Sequence, residues 1–289
     1  MHRRYILLFL IMFSIRNSSG DQMSDQHKTQ SLAQSAWIAH VKNNVATKKA
    51  GQFTAHDKSG RAVTIEWKAT SITSPDCAKI MQGLADVACA AYVSVELKFL
   101  RIFPGAVSTD EFHTSLAPLF AHGVEAVDWH AVESAVAKNL KGIYEMDFSR
   151  FGEDIIKRFV DDVYFFVTVA DKATGTLLGF ITFSVTPAFG AGDVKVISLA
   201  INPVDQNRGL AKLLMSAIFT VLPDVRRIFL STRITNEQAI NAYRAWGFID
   251  ELNPIKDPHH TFNPKHWIFM EYKAGQSDSL QKIAQTMVK

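Results

Sequence analysis

Cysteine is scarce: the 289-residue chain has two, Cys77 and Cys89. It has no Cys-x-x-Cys or His-Glu-x-x-His cluster, the spacings from which zinc sites are built. Both cysteines fall in one long apolar stretch. On a single helix, their twelve-residue spacing separates them by about 18 Å along the axis. A disulfide needs Cα atoms within about 7 Å, so two buried thiols are expected, and no metal. Charge is thin as well. A net +3 without a dense Lys/Arg stripe gives no footing for a nucleic-acid partner. Internal repeats and low-complexity tracts are missing. So are Gly-x-Gly-x-x-Gly and Gly-Lys-Ser/Thr, which excludes a dinucleotide fingerprint and a P-loop.

What is present begins with an apolar fraction of 47%, ample for a core. At the N-terminus, His2-Arg3-Arg4 precedes the apolar run Tyr5 to Ile15, and Ser18-Ser19-Gly20 follows. That is the layout of a secretory signal peptide over residues 1–20, too short for a mature transmembrane segment. The competing reading is an upstream extension of a chain that starts at Met23. Residues 21–60 read as a polar leader with a modest helix around Leu32 to Val45.

Residues 61–161 read as a first strand, Arg61 to Thr70, and then helices. Pro75-Asp76 opens a long one that Pro104-Gly105 stops. Asp86, Glu96 and Lys98 within it argue for a core helix over a membrane span. Further helical material is expected from Thr109 to Leu140.

Strands take over from Asp162. Val163 to Val169 and Leu177 to Val185 flank a turn and predict a hairpin, and Asp193 to Ile201 is a third strand. Leu210, Leu213, Leu214, Ala217, Ile218 and Val221 recur at helical spacing up to Pro223. Ile228 to Thr232 is a strand. Thr235 and Gln238 form a capping-box pair that opens a helix ending at Gly247. Phe248 to Leu252 and His266 to Tyr272 complete the pattern, and residues 274–289 read as a tail. The class is α/β (α+β).

Chemistry concentrates in Ile201-Asn202-Pro203-Val204-Asp205-Gln206-Asn207-Arg208-Gly209-Leu210-Ala211. A strand ends, one glycine follows, and a helix starts. The first turn of a helix has unpaired N–H groups and partial positive charge, and Gly209 has no side chain to block close approach. Arg208 adds a cation. Physically this is either an anion site suited to a diphosphate or a tight turn that needs one glycine.

The segment resembles the acetyl-CoA motif of the GNAT N-acetyltransferase superfamily, Arg/Gln-x-x-Gly-x-Gly/Ala after an apolar-x-Pro strand end. Gln206, Gly209 and Ala211 match it. Downstream, Asn236, Ala239, Tyr243, Gly247 and Phe248 match the family's Asn-x-x-Ala-x-x-x-Tyr-x-x-x-Gly-Phe segment. The resemblance covers about residues 162–273. It implies a mixed, mostly antiparallel sheet with splayed middle strands and helices on both faces.

The function it implies is transfer of an acetyl or other short acyl group from acetyl-CoA to a small-molecule or peptide amine, by a monomer or homodimer. The pyrophosphate would lie on Gln206, Asn207, Arg208, Gly209, Leu210 and Ala211. The pantetheine arm would run along Leu199, Ala200 and Ile201 and meet Asn236, and Tyr243 would protonate the departing thiolate. Read from pattern alone, Tyr243 is a core aromatic and Asn236 a helix cap.

The family's usual glutamate base has no counterpart: Lys195 and Ile197 stand at the inward positions. Asp193 is the candidate base, with Ser198, Glu145, Asp147, Glu153, Asp154, His259, His260 and His266 as others, or water alone. The missing base motivates an alternative, a CoA-binding regulatory or interaction module without catalysis. CoA supply favours the cytoplasm, with export through the signal peptide as the other reading.

Overall fold

Three nine-residue runs of β-branched and aromatic residues, with few breakers, set the centre of the molecule. The computed structural model describes residues 25–47, 50–71, 74–108, 113–145, 162–185, 190–251 and 265–287. In chain order its elements are α1 (Asp25–Thr47), β1 (Ala50–His56), β2 (Ala62–Thr70), α2 (Pro75–Ile102), α3 (Trp129–Tyr144), β3 (Val163–Asp171), β4 (Leu177–Val185), β5 (Asp193–Ile201), α4 (Leu210–Val221), β6 (Arg227–Arg233), α5 (Glu237–Trp246), β7 (Ile249–Asp250), β8 (Trp267–Lys273) and α6 (Ser279–Gln285). Short 3₁₀ turns at Pro104–Ser108, Thr114–Phe120 and Val124–Ala126 link α2 to α3, in and before the stretch expected to hold further helical material.

The strands form one sheet in the order β1-β2-β3-β4-β5-β6-β8-β7. Every pairing is antiparallel except β5 with β6. That parallel pairing is brief: Asp193, Val194 and Lys195 face Arg227, Ile228 and Phe229, and there it stops. Beyond Lys195 the two strands diverge, so the middle of the sheet opens as a wedge. The expected α/β architecture, with a mixed sheet and splayed middle strands, is the one observed.

Alternation along the strands sends two residue sets to opposite faces. On one face Val163, Phe165, Val167, Ile181, Phe183 and Val196 pack with Ile38 and Val41 of α1, Leu214 and Ile218 of α4, and Leu280 of α6. Phe165 and Phe183 stack at 4.9 Å. Each such fully buried side chain stabilises the fold by about 1.5–3 kcal/mol. On the other face Tyr164, Phe166, Phe180 and Ala200 meet Cys77, Met81, Leu84 and Ala88 of α2 and Ile143 and Tyr144 of α3. By length and composition α2 is also the described helix that could cross a membrane; here its apolar face lies on the sheet and on α3. Both cysteines lie on α2 and are free, Cys77 buried and Cys89 partly so, as the helical spacing requires.

Three expectations need correction. The stretch read as a polar leader contains β1, which pairs with β2 in full register from Ala50↔Lys68 to His56↔Ala62, so Arg61 to Thr70 holds the second strand. Gly51 and the polar residues of β1 hid its alternation. The C-terminal stretch read as a tail contains α6, with Leu280 and Met287 in the core. Finally, Asn236, not Thr235, caps α5, its side-chain oxygen accepting from the Ala239 N–H at 3.4 Å. Residues 1–24, which hold the signal-peptide reading, lie outside the described residues, as do Asp147, Glu153, Asp154, His259 and His260.

Candidate functional site

The wedge is built by the end of one strand and the beginning of one helix. Opposite β4, Thr182 faces Ser198 but Phe183 faces Val196. Ile197 is therefore the extra residue of a bulge, which bends β5 away from its neighbour. After Ile201 the chain makes a 3₁₀ turn over Pro203–Asp205. It then passes Asn207 at φ 63° and Gly209 at φ 80° before α4 begins. Left-handed backbone suits glycine and is tolerated by asparagine. The first intrahelical bond runs from the Leu213 N–H to Gly209 O, leaving the N–H groups of Leu210, Ala211 and Lys212 without intrahelical acceptors.

The loop's cation is not the expected one. Arg208 donates to Asp57 from Nε at 2.8 Å and from Nη2 at 2.6 Å, and it also bonds Asp205. Its charge is therefore matched by two carboxylates. Asp57 begins the β1–β2 turn. Burial pushes its carboxyl up, but the Ser59 hydroxyl, Arg208 and the Arg61 and Ser59 N–H groups outweigh it and bring it down to about 2. The same turn docks Lys58 on the loop: its N–H donates to Arg208 O at 2.9 Å. A Cβ placed on Gly209 would lie 2.9 Å from Lys58 Cγ and 3.4 Å from its Cδ and Cε. Lys58 thus lies over the start of α4. Its hairpin is remote in sequence, and the short run Asp57-Lys58-Ser59-Gly60 signalled only a turn.

Gln206 turns back on its own strand, its Nε2 donating to Ile201 O at 3.4 Å, and Gln238 of α5 reaches its Oε1 at 3.5 Å. Asn236 faces its own helix and Thr232, to whose hydroxyl it donates at 3.2 Å. Cap and strand contacts therefore account for Asn236 without a ligand.

Tyr243 is buried on α5 with its ring against Trp246 and Phe248 at 5.5 and 5.6 Å. Its hydroxyl makes no hydrogen bond among the described residues. Burial, and then the nearby Tyr92, push this phenol well above its ordinary value. It therefore keeps its proton at neutral pH and can serve as an acid but not as a base.

Across the wedge, α2 acts as a staple. Tyr92 and Glu96, one helical turn apart, share a face. The Tyr92 hydroxyl donates to Leu199 O at 2.8 Å and accepts from Leu199 N at 2.9 Å, on β5. Glu96 holds Arg233 of β6 at 3.0 Å and the His113 ring at 3.0 Å. Burial pushes the Glu96 carboxyl up, yet Arg233 and His113 bring it below the usual range. The Arg233 guanidinium lies between Phe99 and Trp267, 4.1 Å from each ring. Ser198 faces the same space, 2.9 Å from the Tyr144 hydroxyl. Nothing in the sequence pattern singled out Tyr92.

The candidate base Asp193 is misplaced. It starts β5 at the paired end, held by Arg227 at 2.5 Å and by the Gly190 N–H at 2.8 Å. Leu199 is six residues on, about 20 Å at the rise of a strand. Asp193 holds the sheet together. Glu145 ends α3 at the surface beside Lys141, and His266 packs on Phe99 and Phe103. Lys195 is buried.

Comparison with known proteins gives one sequence-level match: residues 129–248 fit the model of the acetyltransferase (GNAT) family. No curated protein matches the chain. Among solved structures it is similar to nourseothricin acetyltransferase, with 17% identity and a TM-score of 0.31, covering 38% of this chain and 65% of that one. It is similar to the PaiA N-acetyltransferase of Thermoplasma acidophilum in complex with coenzyme A, with 15% identity and a TM-score of 0.38, covering 72% and 98%. It is also similar to the GNAT domain of S. lividans PAT, with 14% identity and a TM-score of 0.39, covering 77% and 96%. The wedge between β5 and β6, the loop and the phenol-bearing helix α5 all fall within the segment, residues 129–248, that matches the acetyltransferase (GNAT) family model.

Proposed function

We propose that the protein is an N-acyltransferase that moves an acetyl or other short acyl group from CoA to an amine. The observation that carries this reading is the wedge itself. A strand whose outer edge at Leu199 and Ile201 is met by side chains, the Tyr92 hydroxyl and the Gln206 amide, and by no further strand runs directly into a helix start whose N–H groups have no intrahelical acceptor, and a protonated phenol is buried one helix later. CoA has the matching parts: a diphosphate, an amide-bearing arm and a thioester.

The diphosphate lies on the loop from Gln206 to Ala211, held by backbone N–H groups and by Lys58. Arg208 acts indirectly, tying the β1–β2 turn to the loop through Asp57. The pantetheine arm pairs with β5 from Leu199 to Ile201, as an added strand would. Asn236 is a cap first, and any contact with the arm is secondary.

A neutral amine attacks the thioester carbon. The new N–C bond forms as charge gathers on the carbonyl oxygen, which the edge N–H groups stabilise. The C–S bond then breaks and Tyr243 protonates the sulfur. The nitrogen's surplus proton passes to water, because among the described residues the wedge offers no free carboxylate: Glu96 is committed to Arg233 and His113. Turnover should therefore rise with pH until the amine is deprotonated.

That same lack favours a second reading, a CoA-binding module without catalysis. A thiol-release assay with acetyl-CoA and pooled amines separates the two. Amine-dependent CoA release supports the transferase, whereas acetyl-CoA binding without release across the panel supports the module.

A further inference from the structure

Leu199 is where the reading above places the cofactor's arm, and its edge is already occupied. One hydroxyl, that of Tyr92, meets both backbone groups of the residue, donating to the carbonyl and accepting from the N–H. A neighbouring strand would supply the same pair of contacts, and so would a secondary amide in an extended ligand. The carbonyl has two lone pairs and can serve two donors. The N–H has one proton and serves one acceptor well. A ligand amide or thioester oxygen that takes the Leu199 N–H therefore has to move the phenol.

We propose that Tyr92 is a cofactor-site residue that holds the place of the acyl-CoA arm on β5 and is displaced by it. The inference rests on the CoA reading of the wedge. Tyr92 has somewhere to go: the Ser198 hydroxyl also lies within its hydrogen-bonding reach, so the moved phenol keeps a partner. The surroundings suit a swap of this kind. Tyr92 stands on the helix face that carries Glu96, and the Glu96–Arg233 pair anchors α2 to β6. The ring can turn while the helix stays in place. Apparent affinity is reduced by the fraction of molecules whose edge is closed, so the phenol sets how tightly CoA binds.

The test is calorimetric titration of the full chain with CoA, comparing wild type with Tyr92→Phe. Removing the hydroxyl abolishes the competitor, and Tyr92→Phe should bind CoA about tenfold more tightly, the equivalent of about 1.4 kcal/mol. In parallel, 3-fluorotyrosine placed at position 92 should show its ¹⁹F resonance shifting at saturating CoA, a readout that remains if Tyr92→Phe folds poorly. Equal or weaker binding by a folded Tyr92→Phe, or an unmoved resonance in a protein saturated with CoA, overturns the proposal. If wild type fails to bind CoA, the underlying reading fails first and this inference falls with it.

Discussion

At its start, β5 lies in register with β6, and its first residue, Asp193, is clamped by Arg227 and by the Gly190 N–H. Six residues on, the same strand has lost that neighbour, and its backbone is met by a tyrosine hydroxyl from a helix on one face of the sheet. The closed end consists of backbone pairing and a half-buried ion pair. The open end consists of a bulge at Ile197, a left-handed glycine and hydroxyl groups. Both belong to one strand, so the protein can tie the sheet together at one point and leave an edge without a strand partner about 20 Å away. On the proposed function, stability and ligand chemistry fall to different residues, and mutations at the two ends should separate them.

The sharpest contrast comes from Tyr243. Tyr243→Phe removes a proton donor from the open end and little packing. Turnover should fall about 100-fold, the lower range for loss of a general acid, while CoA affinity and the melting temperature hold. Equal turnover would remove Tyr243 from the mechanism. Asp193→Ala should do the reverse. Losing a charge-assisted contact that leaves Arg227 partly buried costs about 2 kcal/mol, read by urea unfolding, with turnover per folded molecule unchanged. A matching loss of turnover would restore Asp193 as a catalytic candidate.

Lys58→Ala probes the cation over the loop and should weaken CoA binding about tenfold, with less weakening at high salt. Lys58→Arg should recover most of it.

The smallest effect concerns pH. The Asp57 carboxyl sits near 2 in the folded protein, below its unfolded value of about 3.9. Its contribution is therefore complete above pH 4 and is lost as pH falls from about 4 through 2. Asp57→Asn should flatten the dependence of stability on pH within that window and leave it unaltered near neutrality.

How much of this was legible in the sequence depends on whether the signal was local. Strands from Val163 onward, the loop with Gly209 and the helix of Tyr243 carry their patterns in consecutive residues, and all three stand where those patterns put them. The β1 strand was missed because Ala50–His56 mixes glycine, glutamine and threonine and gains its order from pairing with β2. Long-range partners hid the rest. Arg208 looked like a free cation until Asp57, 151 residues away, came beside it. Tyr92 looked like one more apolar-helix residue until it met Leu199, 107 residues on. Asp193 was offered as a base because it starts the right strand, but Arg227 and the Gly190 N–H hold it at the paired end.

The wedge as a CoA site is tested most directly by calorimetric titration of the wild-type chain with CoA and, separately, with pantetheine. One saturable site for CoA, with affinity falling steeply once the diphosphate is absent, is the predicted result. No binding of CoA, or pantetheine bound as tightly as CoA, would contradict the assignment of the helix start after Pro203 to the diphosphate.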